Sequence, residues 1–132
     1  HKHKISAMAD DALPKTERLH SLMAVRRLFK DGASGFVYPF RYMVYTEQSA
    51  TAGVEVLFSV PKRYHKRATK RNLIRRRTKE SYRLNSGELK RWAESRGVAI
   101  DVALVYSAKE VLPYKSIEHG VCRVLEEIAK RN

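Results

Sequence analysis

The chain has 132 residues, of which 43% are hydrophobic and 31% are charged, a balance that fits one folded domain with a modest core. Its formal net charge of +13 is large for this length, and such a field attracts polyanions. Cys122 is the only cysteine, which excludes an internal disulfide and a cysteine-rich zinc site, and no apolar run approaches the ~18–20 residues that span a membrane. We therefore expect a cytoplasmic protein in a reducing compartment.

The N-terminal region is expected to hold a tail followed by one helix. Residues 1–12 alternate charged and small side chains without a period, which predicts a disordered tail or an expression remnant ahead of a domain that begins at residue 13. Ser21 is expected to cap the helix, and Gly32 to end it in the left-handed conformation. The apolar residues between them recur every three or four positions and form one stripe: Leu22, Val25, Leu28 and Phe29.

Three segments show the alternation of side chains that is typical of strands. They lie at about 40–45, 54–60 and 98–106, and Pro61 closes the second. Their even-numbered residues form a rich apolar face, which we expect to be the core: Tyr42, Val44, Val56, Phe58, Val60, Ile100, Val102 and Leu104. The odd-numbered face carries small or polar residues that leave space for a ligand: Arg41, Tyr45, Ser59, Asp101 and Ala103.

Three more helices are predicted. A basic helix runs from about Arg67 to Leu84, and a shorter one lies between a capping Ser86 and a terminating Gly97. Ser116 is expected to cap the last helix, whose apolar residues share one side: Ile117, Val121, Val124, Leu125 and Ile128. The order of helix, strand, strand, two helices, strand and helix predicts an α+β fold, a small sheet packed with helices in a two-layer sandwich.

Most of the excess charge lies in the segment from Lys62 to Arg83. It holds eleven Lys or Arg and one acid, Glu80, so its net charge is +10, and the other 110 residues carry only +3. Helical spacing places five of the cations on one line: Arg67, Arg71, Arg75, Lys79 and Arg83. Like charges on one line destabilise a helix unless a partner or tertiary packing compensates. A solvated face would mix both signs, so the segment favours a polyanion-binding surface, to which His65 is expected to add.

No catalytic constellation is visible in the sequence. The fourteen Asp and Glu residues are scattered, without the close acidic cluster that would hold paired metal ions for phosphodiester cleavage. His65 and His119 have no evident acid or nucleophile beside them. The sequence therefore predicts a binding protein that has no catalytic residue and no metal site of its own.

A family resemblance rests on three segments. Residues 66–76, Lys-Arg-Ala-Thr-Lys-Arg-Asn-Leu-Ile-Arg-Arg, resemble the Lys-Ala-Val-x-Arg-Asn-Arg-Ile-Lys-Arg segment of the bacterial ribonuclease P protein family. Residues 58–63, Phe-Ser-Val-Pro-Lys-Arg, are similar to its Ser-Val-Ser-Lys-Lys, and residues 13–32 to its N-terminal helix. The motifs cover Leu13 to Glu80, and element order alone extends the match to Ile128. Leu73 departs from the family, because it stands where the family has the second Arg of Arg-Asn-Arg.

The resemblance implies a function and a topology. A partner RNA is expected to perform the Mg²⁺-dependent hydrolysis, so Mg²⁺ belongs to the holoenzyme and the protein alone binds no cofactor. The implied partners are the ribonuclease P RNA subunit and the 5′ leader of precursor tRNA, and neither DNA nor a membrane. The implied fold has a mixed sheet with a left-handed β-α-β crossover, a rare exception to the right-handed rule, and one strand more than patterning places.

The basic segment and the resemblance together indicate which residues would contact the RNA subunit and which would contact the 5′ leader. Arg can grip phosphate with two hydrogen bonds, and Asn72 can bond a base edge or a sugar hydroxyl. The expected RNA-binding residues are Lys62, Arg63, Lys66, Arg67, Lys70, Arg71, Asn72, Arg75, Arg76 and Lys79. The matching family positions imply a leader-binding cleft between the first helix and the sheet, formed by Val25, Phe29 and Tyr45. Core packing is the alternative role for Phe29.

Other functions remain open at this point. A ribosomal or general RNA-binding protein would carry a similar basic helix. A DNA-binding helix-turn-helix module would need a second helix just before the basic one, where a strand ending in Pro61 is predicted. A self-sufficient nuclease would need the clustered carboxylates that the sequence does not show.

Overall fold

The computed structural model describes residues 22–131, so the predicted tail at 1–12 and the predicted cap at Ser21 lie outside the described residues. Within that range the chain forms the helices α1 (Leu22–Asp31), α2 (Ala68–Asn85), α3 (Gly87–Arg96) and α4 (Tyr114–Arg131). It also forms the strands β1 (Ala33–Val37), β2 (Phe40–Gln48), β3 (Gly53–Ser59) and β4 (Val98–Tyr106). The predicted α+β class is confirmed.

The strands form one mixed sheet in the order β1-β2-β4-β3. Strand β2 is antiparallel to both β1 and β4, whereas β3 and β4 are parallel. Parallel neighbours cannot be joined by a tight hairpin, so the chain crosses over the sheet from β3 to β4 through α2 and α3. The handedness of this crossover stays an expectation from the family resemblance.

Strand β1 is the element that side-chain patterning does not place. Its first three residues, Ala33 to Gly35, have small side chains or none, so they show no alternation between apolar and polar positions. Pairing with β2 nonetheless sets its register, with Phe36 opposite Arg41 and Val37 opposite Phe40. The strand is therefore a product of tertiary pairing at the sheet edge.

The even-numbered face of the sheet is the main core, as predicted. All eight residues predicted for it are buried in one cluster. Helices α2, α3 and α4 cover this face, and their largest contributions are Ile74, Tyr82, Leu89, Ile117, Val121 and Ile128. Phe58 and Tyr82 meet edge to face, with ring centroids 5.9 Å apart, which locks α2 onto β3.

The odd-numbered face carries a second, smaller core. Leu28 of α1 is fully buried against Leu57 of β3 and Ala103 of β4, and Met43 and Tyr45 of β2 flank it. Helix α1 therefore adds a partial third layer to the two-layer sandwich. The space predicted on this face is filled where α1 lies, and it remains only beside the helix.

Among the predicted helix ends, Gly97 is confirmed, Gly32 is confirmed in position but not in conformation, and the caps at Ser86 and Ser116 are wrong. Gly97 ends α3 in the left-handed conformation with φ 67°. Gly32 has no positive φ; a Cβ there would overlap the carbonyl oxygen of Leu28, so close approach of the backbone is what favours glycine. Ser86 keeps a helical backbone between α2 and α3, and its hydroxyl makes no capping hydrogen bond. Helix α4 begins two residues before Ser116, because the carbonyl of Pro113 accepts the amides of Ser116 and Ile117.

Candidate RNA interface

The turn between β3 and α2 presents four of the predicted cations to solvent: Lys62, Arg63, Lys66 and Arg67. His65 lies in the same turn but points inward and is 4% exposed. Its Nε2 lies 2.8 Å from the carbonyl oxygen of Ala108, and its ring packs 5.7 Å from that of Tyr106. The expectation that His65 adds to the basic surface is wrong, because the loop after β4 buries it. His65 instead holds the turn that displays the four cations.

Arg71 also supports this turn. Its Nη1 donates to the carbonyl oxygens of His65, at 3.0 Å, and of Lys66, at 2.7 Å. These carbonyls precede α2, so the guanidinium fixes the path of the chain into the helix. Arg71 is half-buried. Its first role is therefore structural, and any phosphate contact would use the rest of the guanidinium.

The predicted line of five cations does not stay on one surface. Positions four residues apart advance by about 40° around a helix, so the line winds about the helix axis. Lys79 is 2% exposed, so it lies inside the protein. The prediction that Lys79 binds RNA is therefore wrong. Arg83 donates two hydrogen bonds to the Glu80 carboxylate, the shorter 2.6 Å, and they hold the pKa of Glu80 below its usual range. The C-terminal half of α2 is thus packed or paired.

The N-terminal half of α2 keeps several polar side chains exposed to solvent. Lys70, Asn72 and Arg76 are exposed. Asn72 accepts a hydrogen bond of 3.2 Å from Arg75, so these two side chains form one polar unit. The buried Ile74, Thr78 and Ser81 lie on the side of the helix opposite to Asn72 and Arg76. We refer to the exposed set as the basic surface: Lys62, Arg63, Lys66, Arg67, Lys70, Asn72 and Arg76. Leu73 is half-buried beside it.

Tyr45 has one ring face already covered. The guanidinium of Arg27, from α1, lies 4.7 Å from the centroid of the Tyr45 ring. The same Nη2 donates to Asp101 at 3.3 Å and lies 3.4 Å from a carboxylate oxygen of Glu47. A base therefore cannot stack on that face while Arg27 holds this position. Arg27 instead ties α1 to β2 and β4.

Phe29 and Val25 differ in their access to a ligand. Phe29 is 48% exposed, so core packing does not explain it. Val25 is half-buried and packs against the small core under α1. Of the three residues that the resemblance assigns to a leader cleft, the structure leaves Phe29 as the aromatic ring open to solvent.

We expect the burial of Asp101 to make the free energy of unfolding depend on pH. Burial raises the pKa of Asp101 above its ordinary value of 3.8, and the hydrogen bond from Arg27 offsets only part of this effect. A raised folded-state pKa favours folding below about pH 3.8, and this contribution is lost as pH rises through the folded pKa. The wild type should therefore lose stability relative to Asp101→Asn across that window. Urea unfolding of both proteins from pH 3.5 to pH 7 checks this, and a stability difference that stays constant with pH would contradict it.

The described residues 22–131 contain no group of three His, Cys, Asp or Glu side chains that could hold a metal ion. In the same range, no helix is both long and apolar enough to cross a membrane.

Comparison with known families decides between the remaining functions. The family model described as Ribonuclease P matches residues 13–128. The chain belongs to the ribonuclease P protein family. The ribonuclease P protein component of Porphyromonas gingivalis is 31% identical over 127 residues, covering 95% of this chain and 92% of that protein. That of Chlorobaculum tepidum is 36% identical over 95 residues, covering 66% of this chain and 59% of that protein.

Solved structures support the fold of this ribonuclease P protein. The protein from Staphylococcus aureus matches with a TM-score of 0.62 at 22% identity, covering 88% of this chain and 97% of that one. The protein from Thermotoga maritima gives 0.61 at 21% identity, covering 84% and 96%. The chain is thus the protein subunit of a ribonucleoprotein endoribonuclease that matures the 5′ ends of tRNA, and the RNA subunit performs the catalysis.

Two arginines of α2 support the fold of this ribonuclease P protein, and the predicted RNA-binding set includes one of them, Arg71. Arg71 and Arg77 each lie three residues from the buried Ile74, and both donate to backbone carbonyls outside α2, Arg77 to that of Leu112. Spacing from Ile74 is a signal for such a role, because residues three apart share a helix face. The link from Arg27 to Asp101 has no comparable signal, since the two are 74 residues apart.

Proposed function

We propose that the basic surface binds the ribonuclease P RNA subunit and the precursor tRNA, and that the 5′ leader lies on the sheet beside α1. The observation that carries this proposal is the set of five exposed Lys and Arg side chains in one short stretch, from Lys62 to Lys70. His65 and Arg71 hold that stretch in place, so the charges are presented on a fixed backbone. Positioned cations recognise phosphates with little ordering cost on binding.

The odd-numbered face supports the placement of the leader. Phe29 offers an exposed ring there, and stacking on aromatic rings tolerates any base, as a processing enzyme with many substrates requires. The basic surface follows directly from the end of β3, so a bound strand can pass from one to the other. We place the Mg²⁺ that hydrolysis requires on the RNA, and we assign the complex to the cytoplasm.

Cleavage of precursor tRNA by the matching RNA subunit tests this function. At low Mg²⁺, we expect the RNA subunit to cleave slowly alone and quickly with the protein, because bound cations reduce the repulsion between the two RNAs. The protein alone should leave the leader attached. Specific cleavage by protein that is rigorously free of RNA would contradict the proposal, and so would a protein that leaves the rate of the RNA subunit unchanged.

A further inference from the structure

Phe36 is an exposed aromatic residue that neither the core nor the proposed contacts use. It lies on the edge strand β1, and 54% of its surface is exposed. Its cross-strand partner is Arg41, which is also exposed. Partners in an antiparallel pair share one face of the sheet, and Arg41 belongs to the odd-numbered face. Phe36 therefore stands on the face that carries α1.

The strand register continues this pair into a row across the whole sheet. Arg41 is paired with Val105 of β4, and Val105 with Ser59 of β3. The row therefore consists of Phe36, Arg41, Val105 and Ser59. Ser59 ends β3, and the chain continues from it into the turn that carries Lys62 and Arg63. Neighbouring strands are about 4.8 Å apart, so the row is about 14 Å long. It joins an aromatic ring at one edge to the basic surface at the other.

Helix α1 forms one wall of this row without covering it. Leu28 packs on the next row, over Leu57 and Ala103, and Arg27 points away from the Phe36 row toward Asp101 and Glu47. Successive helix residues are about 100° apart, so Phe29 projects on the side of Leu28 opposite to Arg27. Phe29 therefore projects toward the row of Phe36. The row has a shallow floor, a cation in the middle and exposed rings at its wall and its far end.

We propose that Phe36 extends the leader site along this row, which we call the trough, and that it stacks the unpaired nucleobase farthest along the trough from Lys62. This inference rests on the proposed function and adds a length requirement to it. A leader that enters from the basic surface reaches Phe36 only after it has crossed β3, β4 and β2. Arg41 contacts the leader backbone one strand earlier. Affinity should therefore rise in a step when the leader becomes long enough to reach β1.

Phe36 allows a clean test, because so much of it is exposed that its removal leaves the buried cores intact. The test measures binding of precursor tRNAs whose leaders are lengthened one nucleotide at a time, with the wild-type holoenzyme and with variants of Phe36. Phe36→Ala should leave short leaders unaffected and weaken binding of leaders beyond the step by about tenfold. Phe36→Trp should keep the step, whereas Phe36→Leu, which retains apolar bulk without an aromatic face, should lose it.

Tyr38 supplies the matched control. It is an equally exposed aromatic, at 55%, but it lies in the turn after β1, where its hydroxyl donates to Glu110 of the loop after β4. Tyr38→Ala should leave the step intact. Equal losses of affinity at every leader length would overturn the proposal for Phe36 but not the proposed function. The same holds if Phe36→Ala causes no loss while the protein still promotes precursor binding. A protein without any effect on precursor binding would overturn the proposed function as well.

Discussion

Replacing Lys62, Arg63 and Lys66 together by Ala is expected to weaken binding of precursor tRNA at low salt by about 100-fold or more. The three side chains are exposed on a turn that His65 and Arg71 fix, so they meet phosphates without first being ordered. The slope of log affinity against log salt should fall by about 2, since each lost phosphate contact removes about 0.7 to 0.9 from it. Fluorescence anisotropy over a salt series measures both quantities.

A control variant with the same change in net charge distinguishes direct phosphate contacts from the effect of the protein's overall electric field. Arg91, Arg123 and Lys130 are exposed on α3 and α4, which cover the other face of the sheet. Their triple replacement by Ala should lower affinity only slightly and leave the salt slope nearly unchanged. If both triple variants lose affinity to the same degree, RNA responds to net charge alone, and the basic surface is not the binding site.

The sequence predicts three of the four strands, β2, β3 and β4, and their core face, because alternation of side chains reports burial directly. The eight residues predicted for the even-numbered face are all buried, but alternation does not reveal the small core around Leu57 and Ala103 on the other face. It does not predict β1, because Ala33, Ser34 and Gly35 have almost no side chain to alternate. The strand exists through its hydrogen bonds to β2, and such pairing is decided by the rest of the fold.

The basic helix shows a different limit. Its charge is evident from the sequence, but whether each cation is exposed or bonded within the fold depends on residues that lie far along the chain. Arg77 donates to Leu112, 35 residues away, and Lys79 is buried within the fold. Helical spacing predicts the direction in which a side chain points, but it does not predict which groups of the folded protein that side chain contacts. The predicted RNA-binding set is therefore narrowed by packing, at Lys79 above all.

The leader residues illustrate the same limit on the other face. The resemblance names Tyr45 correctly as a residue of the α1 side of the sheet, but it does not reveal that Arg27 covers the ring. Phe36 lies in the strand that patterning misses, so its place opposite Arg41 appears only with the register. The aromatic rings that are open to a base are therefore Phe29 and Phe36, beside the row that α1 leaves open, and not the covered face of Tyr45.

Leu28→Ala is expected to loosen α1 from the sheet. Leu28 is fully buried and is the helix's central contact with Leu57 and Ala103, and truncation of such a residue costs about 2–5 kcal/mol. The main core lies on the opposite face and does not include Leu28. Part of the cost should therefore appear as undocking of α1, with global unfolding affected less. Amides of α1 should exchange faster, while those of β4 stay protected.

Undocking of α1 should also separate leader binding from the other RNA contacts. The trough loses its wall and Phe29, but the basic surface, anchored by His65 and Arg71, stays in place. Leu28→Ala should therefore weaken binding of leader-bearing precursor tRNA by about tenfold and leave mature tRNA nearly unchanged. Leu84→Ala, a truncation of an exposed leucine on α2, should change neither affinity nor exchange. Equal losses for precursor and mature tRNA would mean that α1 stabilises the whole RNA-binding surface and has no separate role in holding the leader.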